Sequence, residues 1–165
     1  MPHGRMIVLD AGPSRFQLRA AALIRAGDHV LVHSPAGENI WSLPGGRVEF
    51  GESAAETLAR EIREELSRAA AIGPLRCLIE NYFTLDGRDV HELCLIHDAA
   101  LTEPLRFHET EIVHRCRDGA TDLEFRWVHA ATPALDAIGL YPAPLRQLIG
   151  ALPDALLHVV HRDTV

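Results

Sequence analysis

Phe16 to Ile24 opens with apolar and polar residues in turn, Phe16-Gln17-Leu18-Arg19, then runs into an apolar block. This is the pattern of a strand entering a core. Ala26-Gly27-Asp28 predicts a turn, and His29 to His33 the returning strand. Ser34 to Asn39 is a Pro/Gly loop, and Trp41 to Phe50 is short extended structure interrupted by Pro44-Gly45-Gly46. Ser53 to Arg68 carries the clearest helical period. Leu58, Ile62 and Leu66 share one stripe with Ala55 and Ala59 beside it, and that stripe predicts the sheet-facing side. Arg76 to Leu85 and Val90 to Ala99 predict two strands joined through Asp86-Gly87, a hairpin signal. The polar stretch Glu103 to Asp122 predicts loop, Glu124 to His129 a further strand, and a proline-interrupted helical region follows. Strands, helix, strands, helix in this order predict an α+β sandwich with a mixed sheet rather than a doubly wound parallel sheet.

Length adds a domain count. The 165 residues suit one domain, 1–165, with a core over about 16–149 and peripheral termini. Charge then narrows the partners. The net charge is −7, and all 16 cationic Lys or Arg positions are arginine. An acidic chain lacks the basic footprint of a protein that binds nucleic-acid polymers. Without lysine, Schiff-base chemistry and the P-loop form of phosphate binding are excluded. No apolar run approaches the ~20 residues of a membrane span, and Met1 to Asp10 holds too short an apolar stretch for a secretory signal. The three cysteines, Cys77, Cys94 and Cys116, show no Cys-x-x-Cys spacing, which argues against a disulfide framework or thiolate zinc site. The expectation is a cytoplasmic protein in which Cys77 and Cys94 are inert strand residues.

The helix carries the candidate chemistry. Glu61 to Glu65 is an i,i+4 pair and Glu61 to Glu64 an i,i+3 pair, so three carboxylates share a stripe beside the apolar one. Like charges at this spacing weaken a helix by a few tenths of a kcal/mol. A divalent cation reverses that cost, and carboxylate oxygens suit Mg²⁺ or Mn²⁺ bound together with substrate phosphates. The plainer reading is a solvated acidic face paired locally by Arg60 and Arg63. The flanking residues shift the balance. Pro44-Gly45-Gly46 lets backbone approach a ligand closely. Glu52 opens the helix region, where a carboxylate favours free N–H groups. Arg60 can pair with Glu52 or hold a neighbouring carboxylate in its planar fork. From Glu52 to Glu65 there are five Glu and two Arg, so −3 of the chain's −7 lies in this segment.

Gly46, five residues, Glu52, seven residues and Arg60-Glu61-Ile62-Arg63-Glu64-Glu65 resemble the Nudix box of the Nudix hydrolases, G-x5-E-x7-R-E-U-x-E-E-x-G-U with U aliphatic. Ser67 stands where Gly is usual, and Arg68 where an aliphatic residue is usual, so the departure falls at the helix exit. Trp41-Ser42-Leu43-Pro44-Gly45-Gly46 and Phe125-Arg126-Trp127-Val128 are similar to the family as well. The resemblance implies an α/β/α sandwich with a mixed central sheet. It also implies a Mg²⁺-dependent pyrophosphohydrolase (Mn²⁺ as substitute) that cleaves a nucleoside diphosphate linked to another group by water attack at phosphorus. Carried over, Glu61, Glu64, Glu65 and the Gly45 carbonyl would ligate metal. Arg60 would orient Glu61, and Gly46 and Glu52 would support the loop and helix. The general base varies in the family, being a box glutamate or a carboxylate from a later loop; Glu109, Glu111, Asp122 and Glu124 are the later candidates, with Glu109 or Glu111 preferred.

Substrate selection falls outside the box. Tyr82 or Phe83 would stack a base, and Glu92 on the facing strand would accept from a base amine or reach the metal site. Without lysine, direct phosphate contacts by charged side chains fall to arginine, with Arg47 beside the glycines a candidate, or to protonated histidine. The expected partner is a small-molecule nucleotide, and a homodimer is compatible with the family. The alternative is a Nudix-fold module that senses a nucleotide without turning it over. His158 and His161 predict no zinc site, since no third ligand is evident. Trp127 reads as core.

Overall fold

The computed structural model describes residues 4–163. In chain order the elements are β1 Val8–Ala11, β2 Ser14–Ala26, β3 His29–Pro35, β4 Gly45–Arg47, α1 Ala54–Leu66, β5 Ala70–Leu85, β6 Arg88–Leu101, β7 His114–Asp118, β8 Thr121–His129, α2 Thr132–Ala137, α3 Leu145–Leu148 and β9 Leu157–Arg162. The sheet runs β7-β8-β3-β2-β6-β5-β9, and β1 and β4 also pair with β2. Pairings β2–β6 and β5–β9 are parallel and the others antiparallel, so the sheet is mixed.

Alternation along β2 divides the core. Ala20, Ala22 and Ile24 face α1 and pack with Leu58, Ile62, Leu66, Leu31, Phe125 and Trp127. Ala21 and Leu23 face the other way and pack with Val30, Ile79, Ile96 and the α2 and α3 residues Leu135 and Leu145. Helices therefore cover both faces, giving the α+β, α/β/α sandwich that the sequence resemblance implied. The expected apolar stripe of α1 is the buried one, and Trp127 is core. Asp86 (φ 51°) and Gly87 (φ 72°) both take the left-handed conformation of a tight hairpin turn and join β5 to β6.

Four strands depart from the sequence pattern; the first, β1, lies in the N-terminal stretch where no strand was expected and pairs with β2. β7 lies inside Glu103–Asp122, where loop was expected. Its sequence His-Arg-Cys-Arg-Asp has no apolar alternation, and pairing with β8 holds it instead. β4 forms across Gly45 and Gly46, the pair expected to interrupt extended structure, because those residues pair with Ala21 and Ala20. β9 falls where only a histidine tail motif stood out, and it adds an edge strand beside β5. None of the described helices is long and apolar enough to cross a membrane.

Candidate active site

α1 begins with a reciprocal cap. Ser53 accepts from the Glu56 amide, and the Glu56 carboxylate accepts from the Ser53 amide. This satisfies two donors that the helix leaves open. The other end closes on Ser67, which takes φ 53° and ψ 36°, with its amide donating to the Arg63 carbonyl. Glycine is favoured in that left-handed conformation. Arg68 donates to the Leu66 carbonyl at 2.9 Å, and His114 on β7 bonds the Glu65 carbonyl at 2.7 Å. The two departures from the box are thus a strained cap and an arginine that satisfies a helix-terminal carbonyl.

Arg60 gathers the acidic segment. Its Nε and Nη2 donate to the two Glu52 oxygens at 2.7 and 3.0 Å, a bidentate pair. Its Nη1 donates to Glu61 at 2.9 Å and Glu64 at 3.5 Å, and Glu49 lies 3.7 Å from Nη2. Glu49 was not singled out in the sequence, since it lies outside the box's fixed positions. Glu52 also accepts from Thr57 and the Glu49 amide. The hydrogen bonds from Arg60 are the main cause that lowers the Glu52 carboxyl to about 2.

The three box carboxylates occupy different settings. Glu64 is half exposed, whereas the side chains of Glu61 and Glu65 are 12% and 7% exposed. Burial raises the Glu61 carboxyl against the pull of Arg60. Burial, then Glu61 and Asp118, push Glu65 up to about 8. Asp118, at the end of β7, is the late carboxylate whose charge reaches both glutamates. The later candidates point elsewhere: Glu111 pairs with Arg106 and His108, Asp122 with Arg117 and Glu124 with Arg115, while Glu109 is exposed. Asp118 carried no motif signal, because the strand that brings it to α1 was itself not legible.

Two glycines set the approach of β4 to α1. A Cβ on Gly46 would lie 2.2 Å from Glu61 Oε1, and one on Gly45 would lie 2.0 Å from the Ala20 carbonyl oxygen. Buried His33 stands 3.9 Å from Glu65, its Nδ1 lacks a hydrogen-bond partner, and desolvation lowers its ring to about 3. Among the described residues, no three His, Cys, Asp or Glu side chains form a compact ligand cluster. The donor set is carboxylate-rich, with more negative charge than Arg60 and Arg19 balance locally, and Gly46 provides a cradle that any side chain would fill. These residues fit a hard divalent cation once half-exposed Glu64 joins Glu61 and Glu65.

A cleft of about 370 Å³ opens on the other face, lined by Gln17, Arg19, Arg47, Phe83, Glu92 and Tyr141 among others. Arg47 lies opposite Arg19 in the β4–β2 register. Burial first, then the neighbouring Arg15 and Arg19, lower the Arg47 guanidinium from its usual value. Arg19 connects the two regions, since its charge acts on both Glu65 and His33. Phe83 and Glu92 both line this cleft. Tyr82 does not: it stacks on His91 with centroids 4.3 Å apart, and Arg162 covers its ring at 3.9 Å. Strand alternation sends neighbours to opposite faces, so only Phe83 reaches the cleft. Gln17, Arg19 and Tyr141 were missed because β2 read as core and Tyr141 lies in a proline-broken stretch.

The remaining signals are structural. His158 and His161 sit at odd spacing on a strand and turn to different partners, Glu80 and Asp163. Buried Cys77 and Cys94 have thiols raised by desolvation, Cys94 to about 12.

The NUDIX domain model matches residues 15–138. The CTP pyrophosphohydrolase of Escherichia coli is 31% identical over 121 residues, 72% of this chain and 87% of that protein. A Mycobacterium tuberculosis protein named for the mutator MutT4 is 34% identical over 86 residues, 52% of this chain. The match spans 32% of that protein, so the chain corresponds to about a third of its length. Among solved structures, a NUDIX hydrolase from Nitrosomonas europaea shares the fold with a TM-score of 0.59 at 17% identity, covering 96% of each chain.

Proposed function

Because the chain belongs to the Nudix hydrolase family, we propose that it is a divalent-metal-dependent pyrophosphohydrolase acting on a nucleoside di- or triphosphate or a related nucleotide. The observation that carries this reading is the pair of buried carboxylates Glu61 and Glu65 on α1, the first held by Arg60, with a cleft walled by Arg19 and Arg47 on the other face of the sheet. Carboxylates buried against one another are unfavourable alone and fit a site that receives a cation. The name of the Escherichia coli relative favours a nucleoside triphosphate.

In this reading Glu61, Glu64, Glu65 and the Gly45 carbonyl hold Mg²⁺, with Mn²⁺ as a substitute. Bound metal would neutralise phosphate charge and lower the pKa of the attacking water. Arg60 keeps the Glu61 carboxylate aimed and is in turn fixed by Glu52. Arg19 and Arg47 hold the phosphate chain along the cleft wall, and their mutual repulsion favours an anion there. Phe83 and Glu92 meet the nucleoside. The proton from water would pass to a carboxylate, either a box glutamate or Asp118 at the end of β7, whose charge acts on Glu61 and Glu65.

The test is a nucleotide panel with Mg²⁺ and mass-resolved products. The expected result is metal-dependent release of pyrophosphate, phosphate or nucleoside monophosphate, lost in Glu64→Gln and Glu65→Gln. Unchanged turnover in both variants refutes the ligand roles. Tight nucleotide binding with no product over long incubation would instead support a sensing module.

A further inference from the structure

On the cleft side of the sheet, strand register assembles one polar row. Gln17 of β2 lies opposite Glu92 of β6, Glu92 opposite Asn81 of β5, and Asn81 opposite His161 of β9. Gln17, Glu92 and Asn81 are 8%, 4% and 0% exposed. Buried polar groups are costly unless hydrogen-bonded, and a buried carboxylate ordinarily has a cationic partner. Here the pairing is incomplete. Gln17 Nε2 donates to Glu92 Oε2, and Asn81 Nδ2 donates to the Tyr141 hydroxyl at 3.3 Å. His161 turns away to Asp163. Asn81 Oδ1 has no partner, and among the described residues no Arg or His lies within ion-pair distance of Glu92.

Two open valences therefore face the cleft side by side. One is the second Glu92 oxygen, which can only accept. The other is the second Gln17 amide hydrogen, which can only donate. Phe83 supplies an aromatic face in the same cleft.

We propose that the Gln17–Glu92 pair reads a nucleobase edge carrying an amino group beside an unprotonated ring nitrogen, the edge shared by cytosine and adenine. Glu92 accepts from the exocyclic amine, and Gln17 donates to the ring nitrogen. A base with a carbonyl and ring N–H on that edge, uracil or hypoxanthine, turns lone pairs toward the carboxylate and a hydrogen toward the amide hydrogen. Both contacts become repulsive, and discrimination comes from the mismatch. This inference rests on the nucleotide-hydrolase reading and specifies which substrates its site takes.

The test measures kcat/KM with Mg²⁺ for the pairs CTP/UTP and ATP/ITP, which differ at this edge, and for GTP. A preference for the amino member of at least about tenfold is expected in one pair or both, because a site built around a hydrogen bond rejects an analogue that cannot make it. The better pair identifies cytosine or adenine as the source, and the preference should lie mainly in KM. Glu92→Gln should collapse the ratio while its melting curve and circular dichroism remain native. Gln17→Met, close in volume, should narrow it by removing the donor, and serves if Glu92→Gln fails to fold. A ratio near one in both pairs overturns the proposal. So does a ratio untouched in a folded Glu92→Gln or Gln17→Met protein, or a preference for GTP over ITP with CTP and UTP equal. If no nucleotide is hydrolysed, the hydrolase reading fails separately. The edge reading is then judged by the same ratios in dissociation constants, using the α,β-methylene triphosphates.

Discussion

Replacing Ser67 with glycine should stabilise the protein. Ser67 ends α1 at φ 53° and ψ 36°. A residue with a Cβ costs about 1–2 kcal/mol in the left-handed region. Glycine gives back about 0.4–1 kcal/mol of that gain through its greater freedom in the unfolded chain. Ser67 is exposed, so packing changes little. The net expectation is ~0.5–1 kcal/mol in favour of Ser67→Gly, from the difference of those two terms. For a chain of this size that raises Tm by about 1–4 °C. The assay is urea unfolding followed both by tryptophan fluorescence and by circular dichroism, with calorimetry for Tm. Trp41 and Trp127 report on the two core layers. An increased midpoint at constant m-value is the predicted outcome. A lower or unchanged midpoint would refute the cap argument, and a changed m-value would move the effect to the unfolded state.

Glycines 45 and 46 should respond differently to alanine. Gly46→Ala meets the Glu61 side chain held by Arg60 rather than backbone, so stability should fall by about 1 kcal/mol, less than for Gly45→Ala, while the Mg²⁺-dependent thermal shift and turnover drop sharply. Gly45→Ala meets the Ala20 backbone and should cost about 1–3 kcal/mol in denaturant melts. Glu52, lowered to about 2 by Arg60, contributes stability that is complete above its ordinary value of 4.5 and is lost as pH falls through about 2. Glu52→Gln should therefore cost about 1–2 kcal/mol at pH 7, after allowance for solvent screening, with its difference from the parent shrinking in acid melts. Phe83→Ala should raise KM for the nucleotide, whereas Tyr82→Ala, on the opposite face, should leave KM within about twofold; equal effects would refute the assignment by strand alternation.

The legible parts of this protein were those whose signal is local. The stripe Leu58, Ile62, Leu66 announces α1 because a helix repeats its buried side within four residues. Asp86-Gly87 announces its hairpin because few residues tolerate two left-handed dihedrals in succession. The spacing from Gly46 to Glu65 announces the acidic site for the same reason: loop, cap and helix are contiguous. What stayed hidden depends on partners distant in sequence. β7 has no apolar alternation and exists through β8, so Asp118 could not be placed beside α1. Glu49 joins Arg60 through a turn that no pattern records. Tyr82 and Phe83 were indistinguishable until the register fixed which of them faces the cleft, and Gln17 had no meaning before Glu92 was set opposite it.

The position of β2 has a consequence for how the molecule opens. This one strand pairs with β1, β3 and β4 and with β6. It also shows Gln17 and Arg19 to the cleft while its Ala20 lies against Gly45. A partial opening that frees either the cleft floor or the acidic helix must break into the most connected strand of the sheet. The amide hydrogens of β2 should then exchange with solvent only through opening of the whole domain, and those of the edge strands β7 and β9 much sooner. Cleft and acidic helix would be lost together rather than in sequence, so a half-formed site has no folded state in which to persist.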